Sequence, residues 1–593
     1  MRSPKPAGRR RGRETGATGW IRALAALGAG AVAFGAFGIL RSGSVPATTP
    51  PAPSAAPSVK KPAATAAKMP GPGTTPAMQH SPGGAVSGGS GVWTADPPAS
   101  SKPVASTAIC PDCDVVIITM CSVRRDHVSA YGLAPSEPDG KPLTPRLDAL
   151  VAGGFRMDNA WSASNFTLAG LTAVLTGDFG STTGVTGWDK GLVKNIPTLP
   201  EILGYYGYRT GAFTIDAPSG FRPDYGLDRG FQHMEIIPSP RDTPDGRSRD
   251  GDIGPGGASA RPAAAWIVAQ DHATPIFAMF HTRTAHFPFV LNDDAADKTG
   301  VTHLLWGAGG VQAAPLAPGA ASVLPGTAGG TAQRGVVMQG GPDPVQVGVR
   351  AAGAAGIAMW KQRYSEAVGR MDIDFGVIAG ALAARGRLDK TIVIVLADHG
   401  ESLNDHEELL HGDAYFDGVV HIPMLVRVPG LNGAPVTALT SQVDVLPTVL
   451  ELVGAVVPAG IDGSSMVPLY RKKADSIRTT TLVEGGVSWH DDGVARGAVI
   501  APPWALLRQD PECGAGGPHR APGEPATCLF DIDTDPGETT NVAVAHADVV
   551  ADLEGRWDKF RAARAGAGDT LKLDPAFVKQ LQATGYNFRP GEK

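Results

Sequence analysis

The sequence predicts an α/β fold: a mostly parallel central sheet between helices, with a smaller C-terminal α+β subdomain. Three observations predict it. Short apolar runs such as VVIITM (residues 115–120) and TIVIVLA (residues 391–397) alternate with stretches of helical spacing, the pattern of strands buried on both faces. Two of these strands stop at reactive residues, in ITMCS and VLADHGES, as expected where ligands bind beyond the carboxyl ends of a parallel sheet. Finally, 593 residues exceed the usual size of one core, so more than one unit is expected.

Taken from the N-terminus, residues 1–14 hold six basic residues and one acidic. They lead into residues 23–40, eighteen positions without a charge. As a helix this run spans about 27 Å, close to a hydrocarbon core of roughly 30 Å. The positive flank orients that end toward the cytoplasm. Residues 1–41 therefore read as a signal-anchor, or as a signal peptide cut near VPA at 45–47. Both readings put the rest of the chain outside the cytoplasm; the first makes it a single-pass protein of the cell membrane with its domain on the periplasmic or extracellular side. Residues 42–108, rich in Pro, Ala, Ser and Thr, read as a disordered tether, because such a composition buries too little apolar surface to offset chain entropy. With 52 basic against 57 acidic residues and no basic stripe after the N-terminus, nucleic acid is not expected as a partner.

VVIITM opens the globular part as a buried strand. TPRLDALVAGG has helical spacing, with Pro at its start and Gly at its end. TLPEILGYYGYRTGAF reads as helix then strand, and PIFAMFHT as another strand. Residues 300–356, rich in Gly and Ala, read as a long surface insertion. An amphipathic helix follows and leads into TIVIVLA. Five cysteines are present: in an oxidising compartment Cys513 and Cys528 suit a loop-closing bridge, Cys110 and Cys113 a tight one, and Cys121 is left over. CPDC precedes a strand instead of opening a helix, which argues against a redox motif.

The chemistry concentrates at the second strand tip. Asp398 and His399 follow an apolar strand, and HEELLHGD brings His406 and His411 within reach. This density of ligand residues favours a metal site over a capped turn.

The order of motifs resembles one family. DVVIITMCSVRRDHVSAYG, TPRLDALVAGGFRMDNAWSASNFTLAGLTAVLTG, TLPEILGYYGYRTGAF, YGLDRGFQHME, HTRTAHFPF, TIVIVLADHGES and the two closing segments SQVDVLPTVLELVGAVVPAGIDGSSMVPL and LFDIDTDPGETTNVA are similar, in sequence, to the arylsulfatase-like members of the alkaline phosphatase superfamily. The resemblance implies an alkaline-phosphatase-like, sulfatase fold, with residues 109–470 as its larger domain and 471–593 as its C-terminal subdomain. It implies metal-dependent hydrolysis of sulfate, phosphate or phosphonate esters, on a small-molecule, glycan or lipid ester. It places Thr167 as nucleophile, His286 at the substrate or as proton donor, His411 in substrate binding, and Asp398 and His399 as metal ligands.

Departures stand beside these matches. Cys121 occupies the strand tip where the family has an acidic ligand, and Ser122 the position of a second Asp. After Thr167, Ala169 replaces a Pro and Leu171 an Arg or His, so no formylglycine motif is present. A thiolate at position 121 disfavours Ca²⁺ and suits Zn²⁺; Cys121, Thr167, Asp398 and His399 together would make a tetrahedral zinc set. The implied cofactor is thus a divalent Ca, Mn or Zn ion, or one that has been lost, with Cys121 an apolar plug. The alternative to an ester hydrolase is a catalytically impaired, sulfatase-like binding or accessory protein.

Overall fold

The computed structural model describes residues 108–135, 140–215, 225–237, 259–286, 349–350, 352–411, 414–485, 495–508, 513 and 527–564. The basic start, the uncharged run at 23–40, the tether to 107 and residues 300–348 of the Gly/Ala-rich stretch lie outside them. Among the described residues no helix is long and apolar enough to cross a membrane.

Among the described residues eight strands build the central sheet: β1 (Asp114–Met120), β2 (Phe155–Met157), β4 (Arg209–Ile215), β5 (His233–Ile237), β6 (Ile276–Thr282), β7 (Thr391–Ala397), β8 (Met424–Arg427) and β9 (Pro435–Val436), while the two-residue β3 (Ala160–Trp161) and β10 (Thr440–Ser441) pair with each other outside it. Their order is β5-β4-β6-β1-β7-β8-β2-β9. From β5 to β7 every pairing is parallel, while β8 runs antiparallel to both β7 and β2, so the sheet is mixed but mostly parallel. Every residue of β1, β6 and β7 is buried, which is why these strands read as continuous apolar runs. Full burial of each Val, Ile or Phe there stabilises by roughly 1.5–3 kcal/mol.

Helices cover the sheet as the spacing predicts. α1 (Pro145–Leu150) begins with Pro at its first position. Its open N–H groups are satisfied from outside: the Asp372 carboxylate accepts from the backbone of Leu147 (2.8 Å) and Arg146 (3.0 Å). α2 (Thr167–Thr176) is buried at every position and ends at Gly177, whose φ of 76° is the left-handed cap that glycine adopts without cost. α3 (Gly180–Thr183) is a single turn. α4 (Leu199–Tyr205) carries a capping box between Thr198 and Glu201. α5 (Arg261–Ala269) and the 32-residue α6 (Gly353–Ala384) follow. The last residues of the expected insertion are therefore helical from Gly353 onward: once Trp360, Tyr364 and Phe375 bury on the sheet, packing overrides the low propensity of the glycines before them. At the foot of β1, buried Asp114 pairs with Arg385 and Arg387 at 3.3 Å each, far along the strand from the reactive tip.

A second, antiparallel sheet orders β11 (Thr481–Glu484), β12 (Gly497–Ala501), β13 (Trp504–Arg508) and β14 (Thr527–Asp531) in sequence. Leu553 and Trp557 of the C-terminal helix Ala547–Ala563 pack on it with Leu482, Val499, Leu506 and Leu529. Both expected disulfides form, with Cα separations of 5.3 Å (Cys110–Cys113) and 5.6 Å (Cys513–Cys528). Cys121 is the free, buried thiol.

Candidate active site and metal-binding group

Three neighbouring parallel strands end together. In register, Met120 of β1 faces Thr282 of β6 and Ala397 of β7. The ladder runs on past the strands: Cys121 N–H donates to the Thr282 carbonyl (2.8 Å) and Asp398 N–H to the Met120 carbonyl (3.2 Å). Cys121 and Asp398 are thereby set side by side by backbone hydrogen bonds. His281 stands one position before the β6 tip, opposite Thr119, whose hydroxyl meets its Nδ1 at 2.9 Å.

The turn after β1 is strained. Ser122 has φ 59°, a left-handed conformation that costs a non-glycine residue roughly 1–2 kcal/mol. It is pinned from α6, where the Tyr364 hydroxyl accepts from Arg124 N–H (2.8 Å) and donates to the Ser122 carbonyl (2.6 Å). The result is that Ser122 N–H donates to Asp398 Oδ1 (3.0 Å), which also accepts from His399 N–H (2.7 Å). Asp398 Oδ2 is buried and has no hydrogen-bond partner. Burial pushes the Asp398 carboxyl up, but the neighbouring imidazoles and these two N–H donors outweigh it and hold it below its usual range.

α2 aims Thr167 into this tip. Gly170 allows the approach: a Cβ there would stand 2.7 Å from the Asp398 carbonyl oxygen. Gln442 braces the same point, its amide donating to the carbonyls of Ala397 (2.8 Å) and Asp398 (2.7 Å) while its oxygen accepts from Ala163 N–H. Thr167 Oγ1 then lies 3.5 Å from Cys121 Sγ and 3.3 Å from His399 Nε2. His399 Nδ1 donates to the Gly400 carbonyl (2.8 Å). A carbonyl only accepts, so the proton sits on Nδ1 and the Nε2 lone pair faces the Thr167 hydroxyl. Burial lowers His399 to about 4, which keeps that ring neutral.

His411 joins the cluster, its ring 4.2 Å from that of His399 and 5.2 Å, edge-on, from that of His286. It shares a 2.9 Å hydrogen bond with Glu401. Burial pushes the Glu401 carboxyl well up and the His411 imidazole down to about 3. His406 does not join; it stacks on Phe416 with ring centroids 3.6 Å apart. Buried Arg283 brings positive charge, felt at Cys121, His281 and His411.

The structure thus brings together Cys121, Thr167, His286, Asp398, His399 and His411. It adds His281, Arg283, Glu401 and Gln442, which the sequence reading did not single out. A histidine in the otherwise apolar IFAMFHT was the available signal for His281. One ligand atom each from Cys121, His281 and Asp398 lie within 4.8 Å of one another, all buried. A thiol, an imidazole and a carboxylate whose Oδ2 accepts no hydrogen bond, with His399 Nε2 at 3.7 Å, fit a divalent ion. His399 turns toward Thr167.

The sequence model of the sulfatase family matches residues 114–455. The chain belongs to the sulfatase family. This sulfatase-family chain is 27% identical to human (Homo sapiens) arylsulfatase K over 232 residues, 37% of its own length and 40% of the human protein. It thus spans well under half of that curated relative. Among solved structures, a 2-O GAG sulfatase superposes with TM-score 0.55 at 18% identity, over 81% of this chain and 98% of that one. The phosphonate monoester hydrolase of Agrobacterium radiobacter superposes with TM-score 0.53 at 20% identity, over 78% and 98%. At these identities the likeness concerns the fold, which is the expected sulfatase fold.

Proposed function

We propose that the chain is a metal-dependent hydrolase of sulfate, phosphate or phosphonate monoesters with Thr167 as nucleophile, working outside the cytoplasm. One juxtaposition carries this reading: the Thr167 hydroxyl, at the N-terminus of a buried helix, faces the lone pair of His399 Nε2 at 3.3 Å and Cys121 Sγ at 3.5 Å. A divalent ion on Cys121, His281 and Asp398 would act as a Lewis acid toward a non-bridging ester oxygen. His399 Nε2 takes the Thr167 proton as Oγ1 bonds to sulfur or phosphorus. The ester's alkoxide leaves and takes a proton from His286; water then adds to the sulfur or phosphorus and gives a proton back to His286, while the departing Thr167 oxygen regains its proton from His399. Arg283 and the partial positive charge at the start of α2 favour the anionic group throughout.

The names of the relatives support a small-molecule or glycan ester as substrate, and the uncharged run at 23–40 would keep the enzyme, and a lipid ester if that is its substrate, at the membrane. Assay of the full chain with aryl sulfate, phosphate and phosphonate monoesters tests the proposal. Thr167→Ala is expected to lower kcat by at least about 10³-fold. Wild-type turnover that survives Thr167→Ala would overturn it.

A second reading, an impaired binding protein, is favoured by one observation: Leu171, where the resemblance implies a cation, is fully buried among the apolar residues of α2. Metal-loaded protein that turns over none of the three ester classes would support this reading instead.

A further inference from the structure

We propose that the cation of this site is Zn²⁺, held by the Cys121 thiolate, His281 and the Asp398 carboxylate, with one coordination position left open beside Thr167. As the cofactor of a hydrolase this assignment rests on the function proposed above. As a binding site it stands on geometry of its own.

The three donors are built by the sheet. They come from the ends of β1, β6 and β7, adjacent parallel strands whose register sets Thr119 opposite His281 and Met120 opposite Ala397. All three residues are fully buried, with their ligand atoms within 4.8 Å of one another. His281 and Asp398 are each oriented by a further contact. Thr119 Oγ1 fixes the His281 ring through Nδ1 at 2.9 Å. The N–H groups of Ser122 and His399 take Asp398 Oδ1, leaving Oδ2 with no hydrogen-bond partner. Such outer contacts are what orient ligands at metal sites.

The donor types decide the metal. Ca²⁺ requires six to eight oxygens and Mg²⁺ a near-ideal oxygen octahedron. Only one carboxylate belongs to this group, and the residue beside it is a thiol. Sulfur, nitrogen and oxygen from three side chains are instead the ligand types and number of a catalytic zinc site, which keeps a fourth position for water or substrate. Thr167 Oγ1, 3.5 Å from Cys121 Sγ, stands next to that position.

The other four cysteines are tied in Cys110–Cys113 and Cys513–Cys528, so a thiolate signal from the oxidised protein reports on Cys121 alone. The test uses the full chain, disulfides intact, stripped with chelator and titrated with Zn²⁺, Co²⁺, Mn²⁺ and Ca²⁺. About one equivalent of Zn²⁺ is expected by elemental analysis, retained against a hundredfold excess of Ca²⁺ or Mn²⁺. Co²⁺ should produce a thiolate-to-metal charge-transfer band in the near ultraviolet, together with visible bands of tetrahedral intensity. Cys121→Ser should abolish the ultraviolet band, and His281→Ala should weaken Zn²⁺ at least about tenfold. Preference for Ca²⁺ or Mn²⁺, a cobalt spectrum without the thiolate band, or no metal uptake would each overturn the assignment. Should the variants fail to fold, the wild-type cobalt spectrum and the ion competition decide alone. Zinc bound with the thiolate band but no ester turnover would sink the hydrolase reading and leave the zinc site standing.

Discussion

His411 shows how much of this site is decided by the surroundings of one side chain. Burial lowers its pKa from 6.5 to about 3, while Glu401, also buried, is pushed up. The unfolded chain binds a proton at this imidazole below about pH 6.5, whereas the folded chain does not until about pH 3. At this imidazole the unfolded state therefore holds the extra proton across that window, so the His411 contribution to stability falls as pH drops from 6.5 toward 3, while the raised Glu401 carboxyl acts in the opposite sense. His411→Gln removes this contribution. Its melting temperature is expected to fall less steeply than that of the wild type between pH 6.5 and 4, in metal-free protein followed by circular dichroism. Equal slopes would show that His411 is not held neutral. Sequence alone gave a reason to note His411, because ligand-type residues cluster around it, but not to pair it with Glu401, ten residues earlier, since that contact depends on how the loop folds back.

At the scale of elements, the site exists because α2 runs close under the tip of β7. The contact rests on Gly170: adding a Cβ would place it 2.7 Å from the Asp398 carbonyl oxygen, which is backbone and cannot swing aside. Gly170→Ala is expected to destabilise by about 1–3 kcal/mol in urea unfolding and to lower metal affinity, since Asp398 moves with its carbonyl. A variant with wild-type stability and metal binding would show that α2 shifts freely. The strands and helices themselves were legible. β1, β6 and β7 announce themselves as apolar runs because both faces of a central parallel strand are covered, and α1 and α4 carry their N-terminal Pro or capping signals. The long helix α6 was also readable, except for its start at Gly353, where burial of its apolar face outweighs composition. The register that puts His281 beside Cys121 was not readable, because β1 and β6 are separated by more than 150 residues and local pattern carries no information on pairing.

At the scale of the whole molecule, the small antiparallel sheet is tied to the main part through Glu484. This buried carboxylate at the end of β11 accepts from Ser181 N–H of α3 and from Arg561 of the C-terminal helix, both at 2.6 Å. The Cys513–Cys528 bridge, 15 residues apart in sequence, fastens that sheet's last strand. Cys528→Ser is expected to cost about 3 kcal/mol in the chain-entropy account of a loop this size. The same bridge tests location, since disulfides persist outside the cytoplasm: peptide mapping of unreduced protein recovered from a carbonate-washed membrane pellet should find Cys513 and Cys528 linked. Free thiols at both positions would refute export. The sequence by itself determined the fold class and the positions of the strand tips, because burial on both faces and turn chemistry are local and leave their mark in composition, while the order of its motifs, by resemblance, pointed to the family and to the residues worth examining. Only the tertiary structure decided which of those residues meet. It put His281 with Cys121 and Asp398, turned His399 toward Thr167 and carried His406 away to Phe416, since strand register, helix approach and loop return are settled by packing between segments far apart in the chain.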